Sequence, residues 1–149
     1  MDTLTQAARS ALMRQIRGRD TTPEMVIRSI VRDLRLRCHL NYAGLPGKPD
    51  IAFPRRKMVI FVHGCFWHRH TCRRGQSTPA SRKAFWQSKF AANMKRDSRN
   101  RRALRLAGWK VLVVWECETI ASRRERVRRR IANFLQRPLI LRRVASGSK

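Results

Sequence analysis

The chain has 149 residues, 42% of them hydrophobic, with 35 Lys+Arg against 9 Asp+Glu and a formal net charge of +26. That length and apolar fraction suit one domain with its own core and exclude wholesale disorder; no apolar run reaches the ~18–20 residues of a membrane span. So large an excess of cations repels itself unless a polyanion neutralises it. Nucleic acid is the leading candidate, and an anionic membrane surface is a rival that no amphipathic anchor or lipidation signal supports.

Residues 3–16 have helical composition, and Gly18-Arg19-Asp20 breaks the pattern. The same N-terminal stretch lacks the apolar block of a secretory signal, so a cytosolic, reducing setting is expected. Thr21-Thr22-Pro23-Glu24 is a helix start: a hydroxyl cap, a proline in the first turn and an acid at the positive end. Met25, Ile27, Ile30, Val31 and Leu34 give that helix a one-sided apolar stripe, ending near Arg35. Leu36 to Tyr42 reads as an edge strand, and Gly44-Leu45-Pro46-Gly47-Lys48-Pro49 as a connector. Asp50 to Phe53 is a short strand, Pro54 to Lys57 a basic turn, and Met58 to Val62 a continuous apolar run typical of a buried central strand. From Pro79 to Ala107 the pattern is helical, interrupted in the middle, with Gly108 as its stop. Lys110 to Trp115 is a second buried strand, and Ser122 caps a final helix that carries the arginine run from Arg123 to Arg130. This order predicts an α/β core with a mixed sheet. Residues 1–136 are expected to form a single domain, and 137–149 a basic, partly disordered tail.

The densest chemistry lies in His63-Gly64-Cys65-Phe66-Trp67-His68-Arg69-His70-Thr71-Cys72. Cys65, His70 and Cys72 fall within eight residues, and Cys117 follows the second buried strand, where a sheet can bring it alongside. Three thiolates and one imidazole make a closed tetrahedral zinc site, which is a structural one. Taken one at a time, the same residues read as buried cysteines and surface histidines. Cys38, in an apolar stretch, reads as a core thiol.

His63 and His68 remain outside that ligand set. Metal-dependent nucleases often place an aspartate at the start of one strand and acid-x-lysine on the next. Pro49-Asp50 fits the first half, whereas Phe61-Val62-His63 offers neither an acid nor a lysine. Asp50 and the Val62 backbone carbonyl can still hold Mg²⁺ with its remaining waters. Imidazole titrates near neutrality, so His63 or His68 is a candidate base for the attacking water. Glu24 is a candidate for orienting water or a metal ligand. Singly, Asp50 also reads as a turn-ending polar residue and Glu24 as a helix-dipole partner.

Leu45-Pro46-Gly47-Lys48-Pro49-Asp50, Phe61-Val62-His63-Gly64-Cys65-Phe66-Trp67-His68 and Val113-Val114-Trp115-Glu116-Cys117 together resemble the very-short-patch-repair (Vsr) endonucleases over most of the chain, from about Arg9 to Cys117. The resemblance implies a restriction-endonuclease-like α/β fold with a mixed central sheet flanked by helices. It implies a Mg²⁺-dependent nick on the 5′ side of the thymine in a T:G mismatch, of the kind left by deamination of 5-methylcytosine. Carried over, Asp50 is the metal-binding aspartate, His68 the general base, and His63 and Glu24 the supporting pair. Cys65, His70, Cys72 and Cys117 are the structural Zn²⁺ ligands. Met13, Phe66 and Trp67 are wedges into the duplex, where unstacking costs least at a mismatch. Lys89 and Asn93 sit where family members contact the mismatched pair. Val62 departs from the threonine common in the family, and Arg69 and Thr71 replace extra histidines of this loop.

The expected partner is double-stranded DNA carrying a T:G mismatch, with mismatch-repair proteins as further candidates, no membrane, and a monomer acting in the bacterial cytoplasm at the nucleoid. Two other readings stay open. One is a non-catalytic, zinc-dependent DNA-binding module, which leaves Asp50, His63 and His68 without a role; the other is an endonuclease of the same fold acting on matched DNA. A ribosomal-type RNA-binding protein fits the charge but not the Trp-, His- and Cys-rich loop.

Overall fold

In the computed structural model, which describes residues 5–8 and 20–145, the sequence signals for the first core helix hold. Helix α1 spans Thr22–Asp33, with Thr21 as N-cap, its hydroxyl accepting from the Glu24 N–H, and with proline in the first turn. Such a cap contributes about 1 kcal/mol. Ile27, Ile30 and Val31 are buried, whereas Met25, expected on the same stripe, is exposed. The helix expected over 3–16, Met13 included, lies outside the described residues apart from 5–8.

Strands β1 (His39–Leu40), β2 (Ile51–Phe53) and β3 (Met58–His63) form an antiparallel meander, and β4 (Lys110–Trp115) pairs parallel to β3, so the sheet order is β1-β2-β3-β4. The register runs from Met58↔Lys110 to His63↔Trp115. The edge strand is much shorter than the expected 36–42. A four-residue helix, α2 (Arg73–Gln76), follows the His/Cys loop, where no helix was expected. Helix α3 (Lys83–Leu106) starts four residues later than Pro79 and is continuous. The final helix, α4 (Arg124–Ala145), begins just beyond Ser122, after a single 3-10 turn over Ala121–Arg123, and its backbone stays helical past Pro138.

Alternation along the strands decides what each face meets. Ile51, Phe53, Met58, Ile60 and Val114 pack against Ile27, Ile30 and Val31 of α1 and Val127, Ile131 and Leu135 of α4. Ala52, Val59 and Phe61 face the other way, onto Leu104 of α3 with Tyr42, Leu45 and Trp109 around it. Each fully buried Ile, Leu or Phe contributes about 1.5–3 kcal/mol. The result is a mixed four-stranded sheet with helices on both faces, the expected restriction-endonuclease-like architecture. Among the described residues no helix is long and apolar enough to cross a membrane.

Candidate active site and metal centre

Residues 59, 61 and 63 of β3 share the face that looks at α3, so His63 continues the row of Val59 and Phe61 past the end of the apolar core. It is 94% buried by its relative exposure of 6%. After Gly64 the chain folds back through a turn in which the His68 N–H bonds the Gly64 carbonyl. This lays the His68 ring on His63, with centroids 3.9 Å apart and planes 7° from parallel. On its outer side His68 Nδ1 meets Asp97 Oδ2 at 2.5 Å. That contact holds Nδ1–H toward the carboxylate and leaves Nε2 as the basic nitrogen.

These groups open into a cavity of about 770 Å³, which Asp50, Glu24, Lys48, Arg96, Asn100 and Arg101 also line. Asp50, just before β2, accepts the Val62 N–H at 2.7 Å on Oδ2. Glu24 accepts the Asp20 N–H at 2.8 Å and an Arg28 N–H at 3.3 Å. The pocket therefore draws on a helix N-terminus, a strand start, a strand end and the middle of α3.

Charge in the pocket is unevenly compensated. Burial pushes the Asp50 carboxyl up to about 6, with the Val62 N–H opposing and the nearby Glu24 carboxylate adding to the rise. His63 is pulled down to about 3, first by burial and then by the neighbouring His68, so it is neutral at physiological pH. Its Nδ1 is buried with no hydrogen-bond partner among the described residues. Asp97 moves the other way: burial raises it, but the hydrogen bond and charge of His68, with His63 and Arg101, bring it below the usual carboxylate range.

Cys65, His70, Cys72 and Cys117 come together beside this pocket, all four ligand atoms within 4.8 Å of one another. Cys117 Sγ and Cys65 Sγ lie 3.5 and 3.8 Å from His70 Nδ1. Such separations suit an ion about 2.0–2.3 Å from each donor. The cysteines are all free. Burial pushes the Cys65 thiol up to about 12, while backbone N–H donation from Gly75 pulls Cys72 down to about 6. Trp115, at the end of β4, forms the wall between the two clusters: His70 stacks on it at 4.4 Å and His63 meets it edge-on at 5.4 Å.

The expected DNA-facing residues also converge. Phe66 packs edge-on against Trp67, Trp86 and Phe90. Lys89 Nζ lies 5.1 Å from the Trp67 ring centroid, and Asn93 donates to the Trp67 carbonyl at 3.2 Å. Both aromatics are partly exposed. Met13 lies outside the described residues.

Three participants escaped the sequence reading. Asp97 was missed although it is the single acid in the basic helix α3, a signal that was there to be read. Glu116 accepts the Cys65 N–H at 3.2 Å and an Arg74 N–H at 2.7 Å, bracing the His/Cys loop. Gly75 sits so close to His70 that a Cβ there would lie 1.9 Å from the His70 carbonyl oxygen.

The family profile described as DNA mismatch endonuclease Vsr matches residues 1–74, a span that contains Glu24, Asp50 and the whole His/Cys loop. The type II nicking enzyme V.XorIIP of Xanthomonas oryzae pv. oryzae is 49% identical over 117 residues, 78% of this chain and 85% of that protein. V.NmeAIP of Neisseria meningitidis, also a type II nicking enzyme, is 40% identical over 78% of this chain and 83% of its own length. The DNA mismatch endonuclease Vsr of Escherichia coli is 42% identical over 116 residues, 78% of this chain and 74% of that protein. Likeness of this extent to three such relatives, joined to the matched profile, places the chain in the Vsr family of DNA mismatch endonucleases.

Proposed function

We propose that this protein nicks duplex DNA on the 5′ side of the thymine in a T:G mismatch, by Mg²⁺-dependent hydrolysis of one phosphodiester. The observation that carries the reading is the His68–Asp97 pair facing Asp50 in one cavity, next to the Phe66–Trp67 pair. A binding module has no use for a half-buried imidazole oriented by Asp97 opposite a carboxylate short of positive charge. Nicking enzymes and a mismatch endonuclease among the relatives support the same assignment.

A divalent cation fits at Asp50, because burial and Glu24 leave that carboxylate under-compensated. Asp50 and the Val62 carbonyl would hold it, and when bound it supplies positive charge to the phosphate being cut. His68 takes the proton of the attacking water at Nε2. Asp97 holds the ring in the productive tautomer and offsets the imidazolium charge that results. His63, neutral and stacked beneath, adds no charge to oppose that protonation. Glu24 and Arg28 fix the helix end that faces Asp50. Zn²⁺ fits the closed set Cys65, His70, Cys72 and Cys117, which ties the loop to β4. Phe66 and Trp67, flanked by Lys89 and Asn93, probe the stack at the mismatch, where a wedge meets least resistance.

Nicking of T:G, matched and strand-reversed duplexes with Mg²⁺ tests the reading. His68→Ala is expected to lose about 10²–10⁴-fold in rate. Undiminished nicking by that variant removes the assigned base. Tight binding of mismatched DNA with no cleavage in Mg²⁺ or Mn²⁺ points instead to the binding module, and cutting of matched DNA at equal rate to a same-fold endonuclease without mismatch preference.

A further inference from the structure

The end of the β1–β2 hairpin remote from Asp50 carries a feature that the catalytic pocket leaves unused. We propose that it is a second binding site for duplex DNA, a cradle in which Arg35, Arg37, Arg55 and Arg56 hold phosphodiester groups of a segment other than the one being cut. A cavity of about 550 Å³ opens there, lined by these four arginines together with His39 and Cys38, and no carboxylate lines it. Burial keeps the Cys38 thiol neutral, so the lining holds no competing anion.

The arginines are available. Arg35, Arg37 and Arg55 are exposed, and none of the ion pairs found among the described residues involves them. Arg28, Arg74 and Arg130 are each matched to a carboxylate. Arg56 donates to the Leu135 carbonyl at 2.7 Å, which pins its planar head against α4. The backbone is shaped for the purpose at some cost. Arg35, just past α1, sits at φ 55°, a left-handed position where glycine is the cheap choice, and it carries a cation instead.

Placement separates this cradle from the active site. In the hairpin Leu40 pairs with Ile51 and His39 with Ala52. Asn41 and Asp50 therefore lie at the catalytic end, and Phe53 to Arg56 at the other, with no lining residue shared between the two cavities. Guanidinium forks recognise phosphate bidentately, and a duplex offers regularly spaced phosphates that several of them can engage at once. The cradle exposes no aromatic anchor that a folded partner would grip. DNA is thus favoured over an acidic protein.

A capture assay decides the matter without any cleavage, so its outcome is independent of the nicking reading. Protein is loaded on a bead-tethered matched duplex, washed, and offered a second, fluorescent matched duplex. Wild-type protein is expected to retain the second duplex. Arg35→Ser/Arg37→Ser/Arg55→Ser should retain about tenfold less or worse, with its affinity for the first duplex and its nicking of a short mismatched duplex changed by no more than about twofold. A control with the same charge removed from exposed α4 positions (Arg126→Ser/Arg128→Ser/Arg129→Ser) should keep most of the capture. Equal loss in both variants, capture that survives in the cradle variant, or a wild-type protein that takes up polyglutamate but no second duplex overturns the proposal.

Discussion

The His68–Asp97 contact concentrates the residue-scale chemistry. In the proposed mechanism Asp97 touches the base rather than the substrate, so Asp97→Asn is expected to keep the fold and DNA affinity while lowering kcat by about 10²-fold or more; single-turnover nicking beside a binding isotherm separates the two effects. A parallel loss of affinity would make Asp97 a DNA contact instead. Asp50 gives a stability prediction of opposite flavour. Its carboxyl titrates near 6 in the fold and near 3.8 unfolded, so the native state binds the extra proton between those values. Its charge therefore subtracts stability as pH rises from about 4 to about 6, by up to roughly 3 kcal/mol. Asp50→Asn should be inactive when Mg²⁺ is supplied, yet in metal-free buffer it should be more stable than wild type at pH 8, with the gap closing at pH 4. Denaturant melts at the two pH values check this, and an Asn variant that is less stable at pH 8 would contradict it. His63 has the reverse sign, losing stability as pH falls from about 6.5 toward 3, but it is common to both proteins and cancels in the comparison.

At the scale of elements, helix α3 shows how a functional stripe hides from periodicity. Phe90, Asn93, Asp97, Arg101 and Leu104 follow one another at three- and four-residue steps. Phe90 and Leu104 are buried, and the positions between them are polar because they line the pocket and hold the loop. Read for apolar recurrence alone, that middle is an interruption; in the fold it is continuous helix whose inner face meets a site instead of a core. The His/Cys loop behaves differently. The cluster of Cys65, His70, Cys72 and Cys117 was legible from type and spacing, but α2 and the need for Gly75 were not, because the clash with the His70 carbonyl is created only when the loop closes. Gly75→Ala is expected to lower zinc content and melting temperature together, since backbone rather than a movable side chain stands in the way. Elemental analysis and thermal melts read both. Chelation of the wild-type metal should give the same drop in melting temperature, and an unchanged melt would remove the four ligands from the structural role.

At the scale of the whole molecule, 35 Lys and Arg give a formal net charge of +26, and the sheet at the centre of the described fold has apolar faces. Phosphate neutralisation is expected to dominate affinity, so binding to any duplex should weaken about 10³-fold or more between 50 and 200 mM salt. Equilibrium titrations at several salt concentrations test this, and a shallow dependence would shift the main driver to the wedge and base contacts. By itself the sequence determined the strands of the core, the capped first helix and the membership of the Cys/His cluster, and its charge pointed to a polyanionic partner, because these rest on local periodicity, residue type and spacing, and net charge. Only the tertiary structure decided that Asp97 meets His68 across 29 positions of chain, that Trp115 divides the Cys/His cluster from the pocket, and that four arginines from two separate turns share one cavity. Those are properties of strand register and helix docking, which bring distant residues together through the burial of other side chains.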